Sequence, residues 1–161
     1  RSNISGYSCH FGKNLQKNKI DEVIMSLADT KKVLIVDDSK MMRVLLARVV
    51  KSDASFEVAG EAENGQAALD FLSETAIDLI LLDIEMPVMD GVEALRQIRL
   101  KHNVKVIIVS SLAQVASVQA AEVKQIGVDG IVDKPGGAMD PSLADKKGQQ
   151  LIALLHEVTT R

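Results

Sequence analysis

Residues 79–91 read LILLDIEMPVMDG. Four apolar residues run without a break into an acid, Asp83; a second acid, Glu85, a Met-Pro pair and Asp90-Gly91 follow. So short and unbroken an apolar run suits a strand covered on both faces, as in a parallel sheet with helices above and below it. A strand that ends on a carboxylate delivers that group to the carboxyl edge of the sheet, where open α/β sheets bind their ligands. Asp90-Gly91 reads as a turn whose acid caps the helix that follows.

The same pattern recurs on both sides of this stretch. Upstream, VLIV (33–36) is an apolar, β-branched run followed by DDS, with Ser39 placed as a helix N-cap, and Met41, Met42, Leu45, Leu46, Val49 and Val50 then repeat at helical spacing up to Lys51. FEVAGEA (56–62) alternates like an edge strand, and Asn64-Gly65 opens a helix with Ala68, Leu69 and Leu72 inward. The strand around LILL extends over DLILL (78–82), and the next helix, 92–101, turns Val92, Leu95 and Ile98 inward. Downstream come a strand VKVIIV (104–109), a helix 115–127 stopped by Gly127, a short strand DGIV (129–132), and a last helix opened by Asp140-Pro141 and carrying Leu151, Ile152, Leu154, Leu155 and Val158. Strand and helix alternate five times, which predicts right-handed βαβ units and a doubly wound parallel sheet of the α/β class.

The bulk properties bound the function. A chain of 161 residues, 47% hydrophobic with only three Phe and one Tyr, builds one α/β domain whose core is Val, Ile, Leu, Ala and Met. The net charge is −3, divided as +3 over residues 1–32 and −6 over 33–161, which offers no basic field for nucleic acid. A single cysteine, Cys9, excludes a disulfide framework and fits a reducing compartment. No apolar run reaches the ~18–20 residues of a membrane span, and the N-terminus lacks the apolar core of a signal peptide, so a cytoplasmic location is expected. Residues 1–30 read as an N-terminal extension, flexible or added to the natural chain with Met25 as the true start; residues 31–161 form the domain.

Polar groups gather just past the apolar strands: Asp37 and Asp38 after the first, Asp83 after the third, Ser110 and Ser111 after the fourth and Lys134 after the fifth. Taken singly, these are helix caps, a loop acid, a turn serine and a solvated lysine. Taken together at four strand ends of one sheet, they converge on one crevice. Three clustered carboxylates repel one another, and a divalent cation relieves this; with oxygen donors and neither His nor Cys, Mg²⁺ fits better than zinc. A carboxylate beside Mg²⁺ and a lysine is a candidate nucleophile toward phosphorus, with Ser110 a hydrogen-bond donor to the transferring group. A cis bond at Pro135 would aim the Lys134 side chain. His102, His156, Met41 and Met42 are assigned no chemistry.

VLIVDDSKMMR (33–43), LILLDIEMPVMDG, VSSL (109–112) and DKPGG (133–137) closely resemble the receiver domain of two-component response regulators, the similarity running from about Lys32 to Val158. That resemblance implies a flavodoxin-like (βα)5 fold with strand order 2-1-3-4-5, and a phosphoryl group passed from a sensor kinase's phosphohistidine to an aspartate. It makes Asp83 the phosphoacceptor, Asp37 and Asp38 the acid pair that holds Mg²⁺, the backbone carbonyl of Glu85 a further metal ligand, Ser110 the switch hydroxyl and Lys134 the partner of the phosphoryl group. LDIEMPVMDGVEALRQIR with VSSL and KPGG is most similar to the receiver of chemotaxis protein-glutamate methylesterases, which carry an esterase domain after the receiver. No G-x-S-x-G-like segment is present, so this chain is expected not to be the esterase itself: an esterase domain would lie beyond Arg161, and the alternative is a stand-alone receiver acting through protein–protein contacts. Where receivers often place an aromatic, three residues before the lysine, this chain has Ile131. A Mg²⁺-dependent phosphatase with an aspartyl nucleophile is the competing enzyme class, but Asp83-Ile84-Glu85 lacks the usual second Asp. A flavin-binding module fails for want of a phosphate loop after Val36 and of aromatics to stack on the ring.

Overall fold

A computed structural model describes residues 30–111, 118–135 and 141–160. The extension over 1–30 (all but Thr30), the start of the helix expected at 115 and the cap at Asp140 lie outside the described residues. Five parallel strands are β1 (Lys31–Val36), β2 (Phe56–Ala62), β3 (Leu79–Leu82), β4 (Lys105–Ser110) and β5 (Gly130–Asp133), in the spatial order β2-β1-β3-β4-β5. Among the described residues, five helices alternate with them: α1 (Lys40–Lys51), α2 (Gly65–Glu74), α3 (Gly91–Lys101), α4 (Val118–Ile126) and α5 (Pro141–Thr160). This is the flavodoxin-like, doubly wound arrangement expected from the sequence.

The apolar strands divide their side chains between two cores because successive residues point to opposite faces. Leu34, Val36, Ile80, Leu82, Val106 and Ile108 pack with Leu69 and Leu72 of α2, Leu95 and Ile98 of α3 and Val123 of α4. Val33, Ile35, Leu79, Leu81, Ile107 and Val109 pack with Leu46 and Val50 of α1 and Leu151, Leu155 and Val158 of α5. All twelve strand residues are fully buried. Each face therefore carries its own helices, and the sheet's carboxyl edge is left for polar groups.

Local chemistry fixes the helix starts. Ser39, Asn64 and Asp90 are N-caps whose side chains accept from the backbone N–H of Met42, Ala67 and Glu93. Gly127 follows α4 at φ 103°, the left-handed backbone that ends helices without a Cβ penalty. β2 departs from simple pairing: Val33 faces Val58 but Leu34 faces Gly60, so one extra residue bulges the edge strand. The peptide bonds of the described residues are trans, Lys134–Pro135 included. No helix among the described residues is long and apolar enough to cross a membrane.

Candidate functional site

β1 ends one residue before Asp37 and β3 one residue before Asp83, and the two strands pair in register from Val33 with Leu79 to Val36 with Leu82. The register places both acids side by side, and Asp83 N–H donates to Val36 C=O at 2.9 Å. β4 ends on Ser110, fully buried, and β5 delivers Lys134, whose N–H donates to Ser110 C=O at 2.9 Å. Asp37, Asp38, Asp83, Ser110 and Lys134 thus occupy one edge, as the strand ends required. One carboxylate oxygen from each of Asp37, Asp38 and Asp83 lies within 4.8 Å of the others.

Lys134 is the centre of charge. Its Nζ sits 2.9 Å from Asp37 Oδ2 and 2.9 Å from Asp83 Oδ2. Both carboxylates are almost wholly buried, whereas Asp38 is exposed. The remaining oxygens are held by nearby amides: Asp83 Oδ1 accepts from Ile84 N–H at 2.8 Å and Asp37 Oδ1 from Ser39 N–H at 2.9 Å. Burial pushes the Asp83 carboxyl above its ordinary value; Lys134 opposes this and the charge of Asp37 adds to it. Burial acts to lower the Lys134 pKa, but its bonds to Asp37 and Asp83 outweigh this and leave it raised. Asp37 Oδ2 is buried without a hydrogen bond of good geometry, its contact with Lys134 being ionic. Three hard oxygen donors clustered at one edge are a donor set that fits a divalent cation such as Mg²⁺.

The site opens into a cleft of about 550 Å³ lined by Asp38, Asp83, Ile84, Glu85, Met86, Pro87, Asp90 and Lys134. Glu85 is among the residues that line this cleft. The floor depends on Gly91: a Cβ there would fall 2.0 Å from Asp83 C=O, so α3 approaches the strand end more closely than any side chain allows. Gly91 N–H also donates to Ile84 C=O at 2.8 Å. Ile131 is half-buried and packs on the core shared by α2, α3 and α4.

Sequence reasoning missed Arg43. Its Nη1 donates to the carbonyls of Asp37 at 2.8 Å and Asp38 at 3.3 Å, and its Nε to Glu61 at 3.1 Å. One guanidinium therefore braces the turn that carries both acids and ties it to the end of β2. The available signal was position: six residues after Asp37 is within one helical turn and a half of the cap. Gly91 was likewise read only as a turn residue.

A model of the response regulator receiver domain family matches residues 33–157. A protein-glutamate methylesterase/protein-glutamine glutaminase of Syntrophomonas wolfei is 39% identical over 125 residues, 78% of this chain and 35% of that protein. Its counterpart in Pyrococcus abyssi is 35% identical, again over 78% of this chain and 34% of that protein. The chain thus spans about a third of the length of the curated relatives it matches. Among solved structures, the response regulator domain of Thermotoga maritima CheB superposes with a TM-score of 0.69 at 32% identity, covering 80% of this chain and 96% of that one. A chain from the crystal structure of the P1 domain of CheA3 in complex with CheY6 from R. sphaeroides does so with a TM-score of 0.68 at 41% identity, covering 83% and 99%.

Proposed function

The chain belongs to the family of response regulator receiver domains, and on that premise we propose that it is a phosphorylation-dependent signalling switch with Asp83 as its phosphoacceptor. The observation that carries this is the position of Lys134 Nζ, 2.9 Å from both a buried Asp83 and a buried Asp37 at the mouth of an open cleft. The donor is the phosphohistidine of a sensor histidine kinase. An Asp83 oxygen forms the bond to phosphorus as the phosphorus–nitrogen bond breaks; the electron pair stays on the imidazole nitrogen, which takes a proton from solvent. Lys134 moves its donation from the carboxylate to a phosphoryl oxygen, and the Ser110 hydroxyl donates to another. Asp37, Asp38, Asp83 and the Glu85 carbonyl are the groups that would hold Mg²⁺, which when bound supplies positive charge to the transferring phosphoryl group. Arg43 keeps the acid pair in place by its carbonyls.

Resemblance to methylesterase receivers supports a regulatory role in chemotaxis, with a methylesterase domain or another effector as the output partner and the cytoplasm as the compartment. The receiver itself catalyses only its own phosphorylation and dephosphorylation. The output face is formed by α4, β5 and α5, with Ile131 in place of an aromatic switch. Movement of Ser110 toward the phosphoryl group biases α4 between two states. Amide exchange with and without a phosphoryl mimic should change over residues 110–134.

The decisive experiment is incubation with a small phosphodonor and millimolar Mg²⁺, read by intact mass. The wild type should gain one phosphoryl group per chain and Asp83→Asn none. Equal uptake by the variant sinks the assignment, and many turnovers of a generic phosphate ester per chain would favour an aspartyl phosphatase instead.

A further inference from the structure

α5 lies along β5 in a register fixed at two places. At the start of the strand, Leu154 packs against Gly130, where an added Cβ would come within 3.0 Å of the Leu154 side chain. At the end of the strand, Lys147 Nζ lies 2.6 Å from Asp133 Oδ2 and donates to Lys134 C=O at 3.4 Å. The spacings agree. Leu154 and Lys147 are seven residues apart, two helical turns on one face, or ~10 Å of rise. Gly130 and Asp133 are three strand residues apart, also ~10 Å. An apolar peg and an ionic latch therefore set the helix against the strand, the two antiparallel.

The latch sits on the lysine that serves the acids. Lys134 N–H is held by Ser110 C=O, and Lys134 C=O by Lys147. Both backbone polar groups of Lys134 are thus fixed, one from β4 and one from α5. A lysine side chain has many rotamers, and its ammonium reaches two carboxylates at once only if its backbone is well placed. Asp133 engages the Lys147 ammonium, some four-fifths of each side chain being out of solvent.

We propose that Lys147, acting with Asp133, is a positioning residue that holds Lys134 in reach of Asp83 and Asp37 and couples the phosphorylation site directly to α5. This rests on the phosphoryl-transfer reading of the same site. Lys147→Met keeps the aliphatic stem and removes the latch. Phosphorylation of Asp83 by a small phosphodonor should slow by about five- to tenfold, the cost of misplacing one reacting-site group, while far-ultraviolet dichroism stays unchanged. Lys147→Arg should restore most of the rate, and Lys146→Met, on the exposed neighbour, should leave it as in wild type. Asp133→Asn should slow the reaction too, and with Lys147→Met it should add little, because both variants remove one latch. Nuclear magnetic resonance reads the geometry without any chemistry: the amide signals of Lys134 and Ser110 should shift in Lys147→Met and not in Lys146→Met. Unchanged Lys134 and Ser110 signals in Lys147→Met overturn the proposal, as does a rate within twofold of wild type. Shifted signals in a protein whose wild type accepts no phosphoryl group would support the latch and overturn the phosphoryl-transfer reading alone.

Discussion

At the amino edge of the sheet, Asp129 accepts from Arg99 at 2.9 Å, Lys105 at 3.2 Å and the Val106 N–H at 2.8 Å. At the carboxyl edge, one ammonium, Lys134, stands between two buried carboxylates with a third close by. Burial acts to raise both acids. For Asp129 the amide and two cations overcome it and the pKa is lowered; for Asp83 they do not and the pKa is raised. Depth of burial decides the sign: it is the largest influence on Asp83, with repulsion from Asp37 a smaller addition, whereas Asp129 lies nearer the surface. Two cations on one acid make a staple that closes the β4–β5 end, helped by Arg99 Nε on Gly127 C=O. Among the described residues, one cation paired with two of three clustered acids leaves demand for positive charge, the pattern of a functional centre.

The largest expected effect tests the staple. Asp129→Ala leaves Arg99, Lys105 and the Val106 amide without their acceptor and should cost ~2–3 kcal/mol in chemical denaturation. A loss under ~0.5 kcal/mol would remove the contrast between the edges. Next comes the unmet charge: Mg²⁺ at ten times its dissociation constant should stabilise the wild type by ~1.4 kcal/mol, as binding linkage requires. Asp38→Ala should lose most of this, and Asp129→Ala should keep it. In metal-free buffer, Asp83→Asn relieves crowding and should raise the Tm by roughly 2–4 °C.

Acid titration sharpens the comparison because the two acids carry opposite signs. Asp129, lowered, contributes stability above 3.8 that is lost as the pH falls through its folded value. Asp83, raised, favours the folded state below 3.8 and loses that contribution as the pH rises through its folded value. The advantage of Asp83→Asn over wild type should therefore shrink on acidification, while the deficit of Asp129→Asn shrinks as well; a constant gap for either variant contradicts its assigned sign. The smallest effect concerns backbone strain beside the cleft. Val88 holds φ 69°, a region a β-branched residue avoids, and is 85% exposed. Val88→Gly should stabilise by about 0.5 kcal/mol.

Most of the fold was legible because its signals are local. Unbroken apolar runs marked β1, β3 and β4, and Ser39, Asn64 and Asp90 marked three helix starts at the residues that cap them. Misses were of one or two residues at strand ends: β1 begins at Lys31, two residues before the apolar run expected at 33–36. The strand expected at 129–132 runs from Gly130 to Asp133; just ahead of it, Asp129 N–H donates to Val106 C=O while its carboxylate accepts from the Val106 N–H. The strand expected at 104–109 runs to Ser110, whose carbonyl is claimed by Lys134. In these last two cases a contact distant in sequence lies at the boundary. His156, assigned no chemistry, lies 2.8 Å from Asp53 and meets the Phe56 ring edge-on, a pairing across 103 residues that no local pattern announces.

The sequence by itself determined which residues could meet at one edge. Apolar runs ending in Asp37, Asp83, Ser110 and Lys134, alternating with helices, leave no other place for those groups in a parallel sheet. Only the tertiary structure decided how charge is shared there: that one Lys134 ammonium serves two buried acids, that Arg43 grips the carbonyls of the acid pair, and that Gly91 must lack a side chain. Periodicity and strand polarity are properties of neighbouring residues. Burial, ion pairing and close approach depend on distances between segments tens of residues apart, and those exist only once the chain has packed.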